Sequence, residues 1–434
     1  MTVGILGGGL TGLVLASRLP DAEVLEKADH LGGLCTSLKE EGFTFDQHGS
    51  HILFSRQERA MEFYKELLKD NYVTRRRNTK VFYKGRYVKY PFENGLSDLP
   101  LEENYECLVT FLEAHFARLN GKEPKPANFK EWMYAKFGRG ITEKYLLPYN
   151  EKIWKTPAEA MGIEWVEGRV PDPPLEDVVK SSLGISTEGY THQLNFLYPR
   201  IGGVQALVDS LTPHVKRHET GFAVTSVRKR GGKWVVSDGV HEKVYERLVS
   251  TIPLPELIRA LEEVPAEVRA AADALVHRSL YTVMLGVDRE HLNDFHWLYF
   301  PRKEDGLFNR ASFPANYSDR VCPKGMSSVL VETTCTFGDG VWTMPEEAMV
   351  EHAVSRLHEF GILDRKEVAF SRTCRTRYAY VVFDRDHRQN LDLALAYVAK
   401  QGIESLGRFG QFEYINTDQC ILRALSLAER IGAE

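Results

Sequence analysis

The stretch Val3-Gly4-Ile5-Leu6-Gly7-Gly8-Gly9-Leu10-Thr11-Gly12-Leu13 constrains this chain more than any other. A short apolar run meets three glycines, Gly7, Gly9 and Gly12, in G-x-G-x-x-G spacing, and residues 10–19 have helical character. The physical reading is a buried strand, a tight turn, and a helix whose free N–H groups face a pyrophosphate. Gly7 permits the turn, Gly9 lets the backbone approach the phosphates, and Gly12 lets helix and strand pack closely, with Leu10 and Thr11 heading the helix. Such spacing alone is weak, so its surroundings decide. A second apolar strand, Ala22-Glu23-Val24-Leu25, ends in Glu26-Lys27, 19 positions after Gly7. There an acidic side chain accepts hydrogen bonds from ribose hydroxyls.

Which dinucleotide binds is read just downstream, at Leu31-Gly32-Gly33-Leu34. A second Gly-Gly directly after the ribose acid suits a diphosphate clasped from two sides, as a permanently held FAD requires; NAD is the weaker option.

At 434 residues the chain is too long for one ordinary domain. Two sections break the expected nucleotide fold. Residues Leu101 to Trp154 have helical periodicity, with Phe111, Phe116, Trp132, Phe137 and Tyr145 on apolar faces, and the cluster Val170-Pro171-Asp172-Pro173-Pro174 ends them. Residues Leu280 to Val382 alternate strands, Tyr281 to Val287 and Ser328 to Thr334, with one helix, Pro345 to Phe360. Between these sections, strands at Phe222 to Val227, Lys233 to Val236 and Arg247 to Ile252 are expected to return the chain to the first sheet. A last helix runs from Thr417 to Gly432. The expected fold is α/β: a discontinuous Rossmann-type FAD-binding domain (1–80, 195–262 and 400–434), an inserted helical lobe (85–190) and a mixed β-sheet substrate domain (265–398).

Six scattered cysteines without C-x-x-C spacing argue for a reducing cytoplasm and against a metal site or disulfide framework. A net charge of −5 gives no polyanion signal, so no nucleic-acid partner is expected. The local run Arg75-Arg76-Arg77 suits a solvated loop or a phosphate-facing site. No apolar run reaches membrane-spanning length and the N-terminus lacks a basic leader, so a soluble cytoplasmic protein is expected. Zincin, nucleophile-elbow and P-loop patterns are missing from the sequence. In an enzyme of this kind the cofactor carries the hard step.

Later segments give the sequence a family likeness: Gly49-Ser50-His51-Ile52-Leu53-Phe54-Ser55, Tyr90-Pro91-Phe92-Glu93-Asn94, Pro148-Tyr149-Asn150-Glu151-Lys152-Ile153-Trp154 and His296-Trp297-Leu298-Tyr299-Phe300-Pro301 followed by Arg310. With the glycine turn, Glu26 and Gly32-Gly33, they occur in an order that resembles the flavin-dependent UDP-galactopyranose mutases, nearer their eukaryotic branch. These lie within the wider amine oxidase and protoporphyrinogen oxidase-like superfamily. The first two motifs are shared across that superfamily; the later ones are specific.

The resemblance implies that Gly49, Ser50 and His51 lie against the flavin ring. It puts Tyr90, Phe92, Glu93, Asn150 and Trp154 at the nucleoside, where aromatic faces can stack on a base. It implies that Trp297 faces the sugar, that Tyr299, Tyr380 and Tyr414 hold the diphosphate, and that Arg310 pairs with it in a charge-assisted fork. Arg408, Asp418 and the adjacent Gln419, together with Tyr414, fall where the family contacts the flavin, and Val224 where a backbone group meets the adenine. There are two departures. Glu93 stands where close members carry an amide, and a carboxylate cannot donate to a base carbonyl, so the nucleobase stays open. Arg200, in Tyr198-Pro199-Arg200-Ile201-Gly202-Gly203, sits one place from the family's mobile-loop arginine and is a candidate second phosphate clamp.

The implied reaction is redox-neutral: N5 of reduced FAD attacks the anomeric carbon of a UDP-hexose such as UDP-galactose, and the pyranose and furanose forms interconvert. NAD(P)H is a candidate reductant. No metal is implied, and the oligomeric state stays open. Two other readings remain: an FAD-dependent oxidase of the amine or protoporphyrinogen type, and a non-catalytic flavoprotein that binds nucleotide sugars.

Overall fold

A computed structural model describes residues 2–121, 125–166, 170, 172–187 and 194–433; Pro171, in the cluster expected to close the helical section, lies outside them. Val3–Leu6 is a fully buried strand and Leu10–Arg18 a helix with Gly9 at its N-cap. That strand is central in a five-stranded sheet ordered Ile403–Ser405, Arg247–Ser250, Val3–Leu6, Ala22–Leu25, Arg217–Glu219, and every pairing is parallel. A parallel sheet must be covered on both faces. On one side Leu13 and Val14 of the first helix pack with Ile421, Ala424 and Leu425 of the last helix, Thr417–Ala433. On the other, Leu6 and Leu248 pack with Leu257 and Ile258 of Leu254–Ala260 and with Leu391 and Val398 of His387–Gln401.

Two expected strand placements change. The strand expected at Phe222 to Val227 starts only at Ser226, because Phe222 instead donates its amide to the Glu26 carbonyl and buries its ring beside the nucleotide sheet. Ser226–Arg230, Lys233–Ser237 and Glu242–Tyr245 form an antiparallel sheet of their own; only Arg247–Ser250 returns to the nucleotide sheet. The helix His387–Gln401 adds an element to the nucleotide domain beyond those expected.

The second large sheet has seven strands, ordered Val368–Val381, His277–Val287, Ser327–Cys335, Arg310–Ser312, Trp297–Tyr299, Thr79–Tyr83 and Arg86–Lys89. The helices Leu101–Leu119, Phe129–Ile141 and Leu147–Trp154 pack on its far end, where Phe111, Phe137 and Tyr145 share a core with Val81, Val88 and Tyr299. A π-helical turn, Thr142–Leu146, leads into Leu147–Trp154. Lys152 of that helix donates its buried ammonium to the carbonyls of Phe300 (2.9 Å) and Arg302 (2.8 Å), pinning the helix to the end of the strand Trp297–Tyr299. Among the described residues no helix is long and apolar enough to cross a membrane.

Candidate active site

The two glycine motifs fold onto each other. Gly32 donates its amide to the Gly8 carbonyl at 2.8 Å, and a Cβ on Gly33 would lie 3.0 Å from the Gly9 Cα. A Cβ on Gly12 would lie 2.1 Å from the Gly7 carbonyl oxygen, so helix and strand touch through bare backbone. The helix headed by Leu10 and Thr11 has no side-chain cap and no acid in its first turn, which leaves its positive end for an anion. Glu26 is buried at the end of its strand and accepts from the amides of Gly8 (2.7 Å) and Ala28 (2.9 Å). The exposed side chain of Lys27 leaves only its backbone beside this cleft. Leu34 and Val224, both half-buried, pack against the same apolar core. A diphosphate with a ribose on Glu26 fits these groups, and FAD supplies both.

A second arm, the turn that follows the strand Phe43–Asp46, is hydrogen-bonded to the seven-stranded sheet. Gly49 has φ +97°, and its carbonyl accepts from His51 Nδ1 at 2.7 Å. That bond fixes the proton on Nδ1 and leaves Nε2 as an acceptor. Burial pulls the His51 pKa down to about 4, so the ring is neutral at pH 7. Ser50 shares a hydrogen bond of 2.8 Å with the Tyr317 hydroxyl. Asp46, fully buried, accepts from the hydroxyls of Ser37 and Tyr198 and from the amides of His51 and Val204. Burial pushes its pKa up to about 6 against those bonds. Asp418, in the first turn of the last helix, accepts from Ser55 at 2.7 Å, and Gln419 follows it on that helix. Arg408 donates to the carbonyls of Ile415 (3.0 Å) and Ala379 (2.7 Å) and lies 4.3 Å from the Tyr414 ring centre; its Nε is buried without a hydrogen-bond partner.

The expected diphosphate residues form one cluster. Tyr299 packs against Tyr90 (5.2 Å between ring centres) and Tyr149 (5.1 Å), and Tyr380 against Tyr414 (5.9 Å). Trp154 stands edge-on to Tyr380 and Tyr414. Arg310 is felt electrostatically by Tyr149, Tyr380 and His51. Burial raises the pKa of Tyr90 to about 12 and that of Tyr149 and Tyr380 above the ordinary range, so all three keep their hydroxyl protons as donors. Trp297 is buried with its Nε1 unpartnered, and the Arg77 guanidinium lies over both Trp297 (5.1 Å) and Tyr90 (4.7 Å).

Other expected residues sit differently. Phe92 is completely buried and stacks on Tyr145 at 5.1 Å, its ring planes 12° apart. Glu93 beside it is also buried. Asn150 donates to the Leu146 carbonyl (2.7 Å) and accepts from Trp154 Nε1 (3.0 Å), so its amide ties its own helix together. Arg200 is half exposed and faces Asp319 at 3.9 Å, while the Arg310 side chain is only 18% exposed.

Three residues in the cluster were not singled out from the sequence. Tyr149 lies inside the Pro148–Trp154 segment with no distinguishing signal of its own. Arg77 lies in a basic run that suits a solvated loop as well as a phosphate-facing site. Glu332 does carry a sequence signal, as a lone acid within the apolar strand Ser328 to Thr334. Among the described residues no group of three or more His, Cys, Asp or Glu could hold a metal.

The chain is similar to proteins of known structure along its whole length. A crystal structure of reduced UDP-galactopyranose mutase superposes with a TM-score of 0.89 at 26% identity, covering 100% of this chain and 94% of that one. The curated UDP-galactopyranose mutase of Mycoplasma pneumoniae is 26% identical over 191 residues, 41% of this chain, and the chain spans under half (44%) of that relative's length. A putative protoporphyrinogen oxidase from Exiguobacterium sp. 255-15 shares the fold at a TM-score of 0.78 and 16% identity, covering 100% of this chain and 98% of that one. The family model for flavin containing amine oxidoreductases matches residues 10–390. With most of its length matched, this chain belongs to the flavin-containing amine oxidoreductase family.

Proposed function

We propose that the protein is a flavin-dependent nucleotide-sugar mutase that interconverts the pyranose and furanose forms of a UDP-hexose such as UDP-galactose, with no net redox change. The observation that carries this reading is the chemistry beside the flavin cleft. An arginine and several protonated tyrosines lie together, a donor set suited to a diphosphate and not to an amine. The full-length likeness to a reduced UDP-galactopyranose mutase supports it.

FAD would be held by Gly7, Gly9, Leu10, Thr11 and Gly12 at its diphosphate, by Glu26 at its ribose, and by Gly32, Gly33 and Leu34 from above. When bound and reduced, it supplies the nucleophile for the anomeric carbon, and no protein nucleophile is needed. The chain's own groups bind and orient. Arg310, Tyr299, Tyr380 and Tyr414 would keep the diphosphate within reach while its bond to the sugar is broken, turning its return into an intramolecular step. Tyr90 and Tyr149 pack on Tyr299, and Arg77 lies over Tyr90 and Trp297, which would hold these rings in place beside the diphosphate. His51, neutral with its proton on Nδ1, presents Nε2 as an acceptor.

The test is to incubate dithionite-reduced protein with UDP-galactofuranose and look by chromatography for an isomer of unchanged mass. Oxygen-dependent turnover of an amine with no isomer would replace this reading by an oxidase, in keeping with the family model. Nucleotide binding without turnover would replace it by a binding protein.

A further inference from the structure

We propose that Glu332 is a positioning residue: it sets which edge of Arg310 faces the ligand and ties that arginine to the Gly49–His51 turn. The identity of the ligand, a nucleoside diphosphate, rests on the function proposed above.

Sheet register brings these groups together. Across the seven-stranded sheet Tyr299 pairs with Arg310, Arg310 with Glu332, and Glu332 with Thr282. Residues directly opposite on neighbouring strands share a face, so these four side chains lie in one row. The row is covered by the turn carrying His51: Thr282 Oγ1 donates to the Gln47 carbonyl at 2.7 Å, and Ser50 donates its amide to Glu332 Oε1 at 3.1 Å.

Glu332 is completely buried, and both its oxygens are engaged. Arg310 Nε donates to Oε1 at 2.8 Å and Nη2 to Oε2 at 2.6 Å, a two-pronged fork. The fork aligns the guanidinium plane with the carboxylate and leaves Nη1 for a ligand. A Cβ on Gly49 would lie 3.1 Å from Glu332 Oε2, so the turn passes the carboxylate at a distance only glycine accommodates at this φ.

A buried carboxylate beside an anion site works against anion binding. It cancels the charge of the arginine meant to attract the diphosphate, and desolvating it is costly. What it provides in return is direction. An arginine held by one fork cannot swing as the diphosphate departs and returns, and the flavin-side turn is held to the same two oxygens. A purely structural ion pair would fix the sheet without linking the two arms.

The experiment compares Glu332→Gln and Glu332→Asp in the FAD-loaded protein. Gln keeps the shape and one acceptor but turns an NH2 toward Arg310 Nη2. Asp keeps the charge but is a methylene too short to hold Arg310 and Ser50 together. For both variants the expected result is a kcat about tenfold or more below wild type, with UDP binding held or tightened, the signature of lost orientation and not of lost affinity. For Glu332→Asp, hydrogen exchange in residues 47–54 of the nucleotide-free holoprotein should quicken about tenfold or more, since the Ser50 amide loses its acceptor. Wild-type kcat in either variant, a loss carried by weaker UDP binding alone, or unchanged exchange in Glu332→Asp would each overturn the proposal. The exchange measurement needs no substrate. A wild-type protein that isomerises nothing therefore sinks the proposed function while leaving the link between the two arms to be judged by itself.

Discussion

Arg310 has its charge answered before any ligand arrives, by a carboxylate with no solvent exposure directly across the sheet. Replacing it with alanine therefore does two separable things. It removes the cation expected at the diphosphate, and turnover of the nucleotide sugar should fall by about 100-fold or more. It also strands Glu332 as a buried, unpaired charge, which costs on the order of 3–5 kcal/mol. The expected outcome is a protein that keeps its flavin absorbance, melts at lower temperature and shows no isomer by chromatography. Loss of the flavin would mean that Arg310 serves the cofactor instead. The double variant Arg310→Met with Glu332→Leu should recover much of the melting temperature and none of the turnover, because two apolar groups leave no buried charge behind.

At the scale of elements, the parts legible from the sequence are those whose geometry is local. The turn from Val3 to Gly12 is dictated by contacts between residues five apart. Alanine at Gly12 would put its methyl 2.1 Å from the Gly7 carbonyl, a clash only a separation of strand and helix can relieve. Gly12→Ala is expected to yield apoprotein, read as a lost flavin-to-protein absorbance ratio, with stability lower by about 1–3 kcal/mol or more. The hairpin Thr79–Tyr83 to Arg86–Lys89 is equally local, since Lys84 and Gly85, both at positive φ, form its turn. What could not be read needed pairing over distance. Glu332 meets Arg310 only through strand register, and Phe222 leaves its expected strand because a carbonyl on Glu26 claims its amide. The helix Leu147–Trp154 shows the same limit: its segment was legible by resemblance, but not its attachment by Lys152 to Phe300 and Arg302. Lys152→Met removes both of those bonds. It should weaken nucleotide binding about tenfold by titration, with flavin content unchanged, because the helix and the strand carrying Tyr299 lose their common pin.

Across the whole molecule, folding buries several titratable rings wholly or in part. Burial pulls His48, His51, His277, His296 and His387 each down to about 4. An unfolded chain protonates such rings near pH 6.5. Between these limits the unfolded state binds more protons than the folded one, so the stability these rings contribute is complete above about 6.5 and is lost as pH falls toward 4. Asp46 acts in the opposite sense: its carboxyl, raised to about 6, holds a proton in the folded state that an unfolded aspartate has already released. It offsets roughly one of the five. Each remaining proton steepens the fall in unfolding free energy by about 1.4 kcal/mol per pH unit. Solvent screening at the half-exposed His48, His51 and His277 trims the sum. Guanidinium unfolding of the holoprotein at a series of pH values from 7 to 4.5 should therefore show a slope near pH 5 equivalent to about two to four protons taken up. A slope of less than one proton would mean that these rings already carry charge in the folded protein. His51 could not then present a neutral Nε2 to the flavin side of the site.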